Sequence, residues 1–189
     1  VDDFSTTTFG WSQSSSDISS FDYDLAQGLY YIHVKKPAYI SWSEVPVEFS
    51  PEEIEFDAIN PGSSVGGSFG VMCQIQSQTT FYNVEIDLDK MVFSIAMVVD
   101  ETYIPLTNPE WLDLKNIDPT AGKSNHYRVS CQLDRVRLFA NGDRIGKSDF
   151  SGRTPFSTPG KAAIFVATWD NVSADGYRVF FDNVNAWLP

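Results

Sequence analysis

The chain has 189 residues, of which 42% are hydrophobic and 14% aromatic, and a formal net charge of −12. That charge repels a nucleic-acid backbone and an anionic membrane surface, so it argues against either as a partner. The length suits one domain, 1–189, with a core that needs no staples.

Residues 1–11 run from Asp2-Asp3-Phe4 to Gly10-Trp11 and read as an edge strand followed by a turn. The Ser-rich residues 12–20 read as a loop. In 28–34 (GLYYIHV) Leu29, Tyr31 and His33 alternate with Tyr30, Ile32 and Val34, the period-two pattern of a strand. His33 reads as a hydrogen-bonded surface group, since no second His or Cys lies near it to build a zinc site. Residues 35–46 read as a connection carrying Tyr39 and Trp42. In 47–59 (VEFSPEEIEFDAI) Ile54, Phe56 and Ala58 face one way and Glu53, Glu55 and Asp57 the other, a half-buried antiparallel strand. Pro, Gly and Ser in 60–67 predict a turn.

Residues 68–99 read as a meander of three strands. Phe69, Val71, Cys73 and Ile75 share one face of the first; Gly70, Met72, Gln74 and Gln76 share the other. After a turn at 77–79, Tyr82, Val84, Ile86 and Leu88 form the apolar side of the second strand, and Asn83, Glu85 and Asp87 its polar side. Asp89-Lys90 reads as a tight turn, and 91–99 returns.

Residues 100–124 lack periodicity and carry Tyr103, Trp111, Pro105, Pro109 and Pro119; long ordered loops of this kind often carry function. In 125–133, Tyr127, Val129, Cys131 and Leu133 are expected to face inward. Residues 135–140 run into Asn141-Gly142, a strong hairpin signal because both residues tolerate positive φ. The return starts at Arg144-Ile145, and 150–160 is a further Pro/Gly/Ser connection. Residues 161–169 (KAAIFVATW) read as a well-buried strand, 170–176 (DNVSADG) as an acidic loop, and 177–188 (YRVFFDNVNAWL) as the closing strand. Roughly a dozen short strands without a long helix predict an all-β, antiparallel two-sheet sandwich or jelly roll. The longest apolar runs, 95–99 and 162–167, fall far short of the ~20 residues of a membrane helix. With Val1 first and no signal peptide, the chain reads as a mature one whose leader or anchor has been removed, hence secreted or anchored to the cell envelope.

Cys73 and Cys131 both fall on apolar strand faces. They suit buried thiols, which behave as small hydrophobes, or a disulfide; in a secreted chain a single pair favours the disulfide. Sugars stack on Trp and Tyr, so Tyr103 and Trp111 in the long loop, with Trp169 before the acidic loop, are the candidate ligand residues. Trp11 and Trp187 are assigned to packing of the terminal strands. Asn171-Val172-Ser173 is a glycosylation sequon, relevant only in a eukaryotic secretory pathway.

Several segments together resemble the concanavalin A-like jelly rolls, the lectin/glucanase and laminin G-like superfamily, and most of all its secreted or lipid-anchored bacterial members. They are Gly28-Leu29-Tyr30-Tyr31-Ile32, Phe69-Gly70-Val71-Met72-Cys73, Phe81-Tyr82-Asn83-Val84-Glu85-Ile86, Tyr127-Arg128-Val129-Ser130-Cys131, Leu138-Phe139-Ala140-Asn141-Gly142 and Val179-Phe180-Phe181-Asp182-Asn183-Val184. Gln74-Ile75 departs from the basic-aromatic pair expected there, and Asp89-Lys90 from an Asp-Gly turn. The resemblance implies a carbohydrate or other cell-surface ligand. It also implies an alternative, a laminarinase-like glycoside hydrolase whose Glu-x-Asp-x-Glu strand would be matched by Glu85, Asp87 and Asp89, acting as nucleophile, orienting partner and acid/base. Members of the superfamily often hold a structural calcium near the terminal strands, which would here engage Asp182 and Asp3, with Asp170 and Asp175 offering a second acidic loop. Calcium takes six to eight oxygens. A structural or adhesion role without a small ligand is the third reading, because the fold does not determine function.

Overall fold

The computed structural model describes residues 2–59, 62, 65–149 and 156–188. In chain order the strands are β1 (Ser14–Ser15), β2 (Ser19–Asp24), β3 (Leu29–Val34), β4 (Ile40–Glu44), β5 (Glu53–Ile59), β6 (Gly67–Ser77), β7 (Thr80–Asp87) and β8 (Val92–Val99). They continue with β9 (Thr102–Pro105), β10 (Leu112–Asp113), β11 (Ser124–Gln132), β12 (Arg135–Ala140), β13 (Asp143–Asp149), β14 (Lys161–Thr168) and β15 (Tyr177–Trp187). An eight-stranded sheet has the order β1-β2-β3-β15-β5-β11-β12-β13. A seven-stranded sheet has the order β10-β8-β7-β6-β14-β4, with β9 also paired to β8. Every pairing is antiparallel, and the chain is the two-sheet sandwich its alternation predicts.

The core lies between the sheets because alternate residues of each strand point there. Tyr30, Ile32, Val34, Ile54, Phe56, Tyr127, Val129, Val179 and Phe181 fill it from the eight-stranded sheet, and Phe69, Val71, Val84, Ile86, Ile95, Ile164 and Val166 from the other. Cys73 and Cys131 form a disulfide that ties β6 to β11, and so one sheet to the other. At the β12–β13 turn Asn141 and Gly142 have φ of 47° and 90°, as their hairpin signal requires.

The structure departs from the sequence reading where short polar segments pair. Residues 2–11 make one isolated bridge, Asp2 to Val184, rather than a strand; Phe4 and Trp11 anchor the segment by packing on Tyr30. Part of the expected loop 12–20 pairs as β1 and the start of β2. The expected connection 35–46 contains β4, whose inward residues are Ser41 and Ser43 rather than apolar ones, so its hydrophobic pattern is inverted. Ser43 meets the Tyr30 hydroxyl at 3.0 Å. Residues 47–52 lie outside β5. Its polar face is not simply wet: Asp57 bonds His126 Nδ1 at 2.7 Å and Glu53 meets Arg128 at 3.3 Å. Gln74 has φ 52° and the β6–β7 register shifts after Cys73, a bulge that sends Ile75 to the opposite face from Cys73.

Gly70 permits a close approach between strands. A Cβ there would collide with the Val84 carbonyl oxygen, which cannot move out of the sheet, and crowd the Phe165 ring. Gly70→Ala is therefore expected to cost about 3 kcal/mol, read as a lowered unfolding midpoint. An unchanged midpoint would mean the strands do not approach so closely.

Candidate functional site

On β14 the residues between those in the core point out of the sandwich. Ala163, Phe165 and Ala167 join Met72 of β6 in a second apolar cluster, flanked by Trp42, Ile75 and Phe81. This paves the outer face of the seven-stranded sheet. One rung of it runs Trp42, Phe165, Gly70, Glu85, Ser94 across five strands. Three clefts open on this face. One of about 350 Å³ is lined by Trp42, Met72, Ile75 and Phe81. The next, about 450 Å³, shares Phe81 with it and includes Tyr39, Asn83, Glu85, Tyr103 and Trp169. The third, about 620 Å³, shares Glu85, Tyr103 and Trp169 with the second and adds Lys90, Glu110 and Trp111. Shared walls make them one groove across the sheet.

The three aromatic candidates converge on this groove although they are far apart in the chain. Residues 100–124, expected as one loop, contribute β9 and β10 along β8. That pairing brings Tyr103 and Trp111 beside Trp169, which follows β14. The Trp111 and Trp169 rings lie 6.2 Å apart at 81°. The Tyr103 hydroxyl is 3.1 Å from Ser94 Oγ.

Glu85 forms the polar floor. It is 7% exposed; Ser68 Oγ donates to its Oε1 at 2.5 Å and Asn83 Nδ2 to its Oε2 at 3.2 Å. Burial pushes its carboxyl above the usual range, against those two hydrogen bonds and Lys90, while Asp87 adds to the rise. The folded state therefore holds this proton more tightly than the unfolded chain. The corresponding stability is present below pH 4.5, the unperturbed value, and is lost as pH rises through the higher folded value. Glu85→Gln removes the charge, and Asn83 can turn its amide to accept from the new Nε2. The variant is expected to be more stable near neutral pH by about 0.5–2 kcal/mol, with a stability–pH profile that flattens above pH 5. A less stable variant with an unchanged profile would contradict a strained carboxylate.

The expected triad does not assemble. Asp87 points to the same face as Glu85 but is fully buried. It accepts from Lys90 N at 3.0 Å, Lys90 Nζ at 2.8 Å and Trp169 Nε1 at 3.3 Å. β7 ends at Asp87, and residues 88–91 form the turn, wider than the expected Asp89-Lys90 pair. Asp89 thus leaves the strand and accepts from Gly66 N at 2.7 Å. Of the three carboxylates, Glu85 alone lines the groove. Asp87 instead seats Trp169 and Lys90, whose ammonium also lies 4.9 Å from the Trp169 ring centroid. Asn83, which the sequence did not single out as a site residue, carried one usable signal, its place two positions before Glu85 on the same polar face; Lys90 and Glu110 carried no periodic signal.

The terminal carboxylates are mostly engaged with protein donors. Asp3 accepts from Ser5 N at 3.0 Å and Asp182 from Asn183 N at 2.7 Å. Asp2, which the sequence did not single out, holds Phe4 N and Trp11 Nε1. Burial first, then the charges of Asp57, Asp3 and Asp2, raise the Asp182 carboxyl. Among the described residues no three His, Cys, Asp or Glu side chains are grouped to hold a metal ion, so side chains alone do not supply the calcium shell.

No protein-family model matches the chain, and no curated protein matches it. Solved structures do. The carbohydrate-binding module CBM66 from Bacillus subtilis superposes with a TM-score of 0.67 at 13% identity, over 94% of this chain and 95% of that one. A Bacillus licheniformis β-glucanase gives 0.65 at 13% identity, over 98% and 96%. A glycoside hydrolase family 16 endo-glucanase from Bacteroides ovatus gives 0.66 at 12%, over 98% of each. At such identities the likeness is one of fold, and the fold is the concanavalin A-like jelly roll.

Proposed function

We propose that the domain is a non-catalytic carbohydrate-binding module that works outside the cytoplasm. The observation that carries this reading is the groove on the seven-stranded sheet, where Tyr103, Trp111 and Trp169 flank one buried carboxylate, Glu85. Aromatic faces take the apolar faces of sugar rings, and a few fixed polar groups orient the hydroxyls. The jelly rolls it superposes on include a carbohydrate-binding module and glucanases, which supports the ligand class. The disulfide supports an oxidising compartment.

Calorimetric titration with a panel of oligosaccharides is expected to show saturable binding with no product released. Absence of binding to any glycan at millimolar concentration would overturn the reading and leave a structural or adhesion role. The hydrolase alternative draws on Glu85, a raised carboxyl in a groove. It lacks a free partner in the expected triad, since Asp87 accepts three hydrogen bonds and Asp89 is turned to Gly66. Release of reducing ends that stops in Glu85→Gln would establish it.

A further inference from the structure

The groove is acidic as well as aromatic. Glu85, Glu110 and Asp170 line its two larger clefts. Lys90 is the one cation among their described lining residues, and its ammonium is taken by Asp87 at 2.8 Å. The uncompensated charged groups that face the ligand are therefore all carboxylates. Asn83 adds a neutral acceptor. It is 6% exposed, lines the middle cleft beside Glu85, and its Oδ1 has no hydrogen-bond partner. A buried acceptor without a donor costs free energy unless something supplies one.

The aromatic walls point the same way. Trp111 and Trp169 meet nearly edge to face and, with Tyr103, surround the cleft that Glu85 and Glu110 close from the polar side. Aromatic faces backed by carboxylates attract ammonium groups. Lys90 already shows this within the chain, with its Nζ over Trp169.

We infer that the glycan bound here carries free amino groups, and that Glu85 with Glu110 and Asp170 selects it over uronic or sulphated chains. This rests on the carbohydrate reading and narrows it. A charge-assisted hydrogen bond from a sugar ammonium to Glu85 would satisfy the floor better than a hydroxyl, and the outer carboxylates would repel polyanions.

The test is titration of the intact chain, in slightly acidic low-salt buffer, with four oligosaccharides of equal length: β-1,4-linked glucosamine, its N-acetylated form, a neutral β-glucan and a galacturonate. The glucosamine oligomer is expected to bind about tenfold more tightly than the N-acetylated one, and the galacturonate not to bind. Added salt should weaken the preference without abolishing it, because the Glu85 contact is buried and screened much less than surface charge. Glu85→Gln should erase it, and Glu110→Gln with Asp170→Asn, both surface changes that leave folding intact, should reduce it. Equal binding of the amino and N-acetylated oligomers, or binding of the galacturonate, would overturn the inference and leave the carbohydrate reading standing. A glucosamine preference that survives both Glu85→Gln and Trp169→Ala would be attraction to the acidic surface at large and would also overturn it. No binding by any of the four would remove the carbohydrate reading along with it.

Discussion

Replacing both cysteines, Cys73→Ala with Cys131→Ala, is expected to destabilise the domain by about 4 kcal/mol. The bridge spans 58 residues of sequence, and closing a loop of that length removes much of the freedom of the unfolded chain. It also joins the two sheets, and both sulfurs are buried. Next to it, the Gln74 side chain crosses to the other sheet, donating to the Cys131 carbonyl at 2.7 Å and accepting from Gly160 N at 2.9 Å. The bridge and the bulge therefore hold the same point. At about 2–4 °C per kcal/mol for a domain of this size, the midpoint should fall by roughly 10 °C or more. A midpoint that does not move in reducing agent plus denaturant, or in the double variant, would show that the bridge is dispensable.

Trp169→Ala is expected to weaken glycan binding by about 2 kcal/mol or more, roughly 30-fold. Trp169 borders both larger clefts, meets Trp111 edge to face, and is held by Asp87 through its indole N–H. It is half-buried at the end of β14, so its loss opens the groove without removing a core residue. Trp187→Ala, on the eight-stranded sheet, is the control and should bind as the parent does. Equal losses in the two variants would place the effect in general stability rather than in the groove.

Much of this architecture could be read from alternation alone. The meander of β6, β7 and β8 and the Asn141-Gly142 hairpin follow from patterns that local physics controls. The pairing of Cys73 with Cys131 needed only apolar positions and a compartment. Where the reading failed, a non-local contact had reversed a local signal. β4 buries Ser43 because Tyr30 offers a hydroxyl partner. Residues 100–124 pair as β9 and β10 because β8 presents an edge, which no periodicity inside the segment reports. Asp89 looked like the third member of a period-two series, but the series stops when the strand stops, and the turn begins one residue before it. The candidate site was legible as a set of residue types, Tyr103, Trp111 and Trp169, which the fold brings to one groove. Their meeting with Glu85 was not, because it depends on which face of the sheet each loop crosses.

Ligand is expected to lie in the groove on the seven-stranded sheet. The five tryptophans report on it directly. In a ¹⁵N-labelled sample the indole N–H signals of Trp111 and Trp169 should shift progressively as oligosaccharide is added, with Trp42 following for longer oligomers. Trp11, sealed in the core with its N–H on Asp2, and Trp187 should stay in place. Movement confined to Trp11 or Trp187, with Trp111 and Trp169 unchanged at saturation, would contradict that placement.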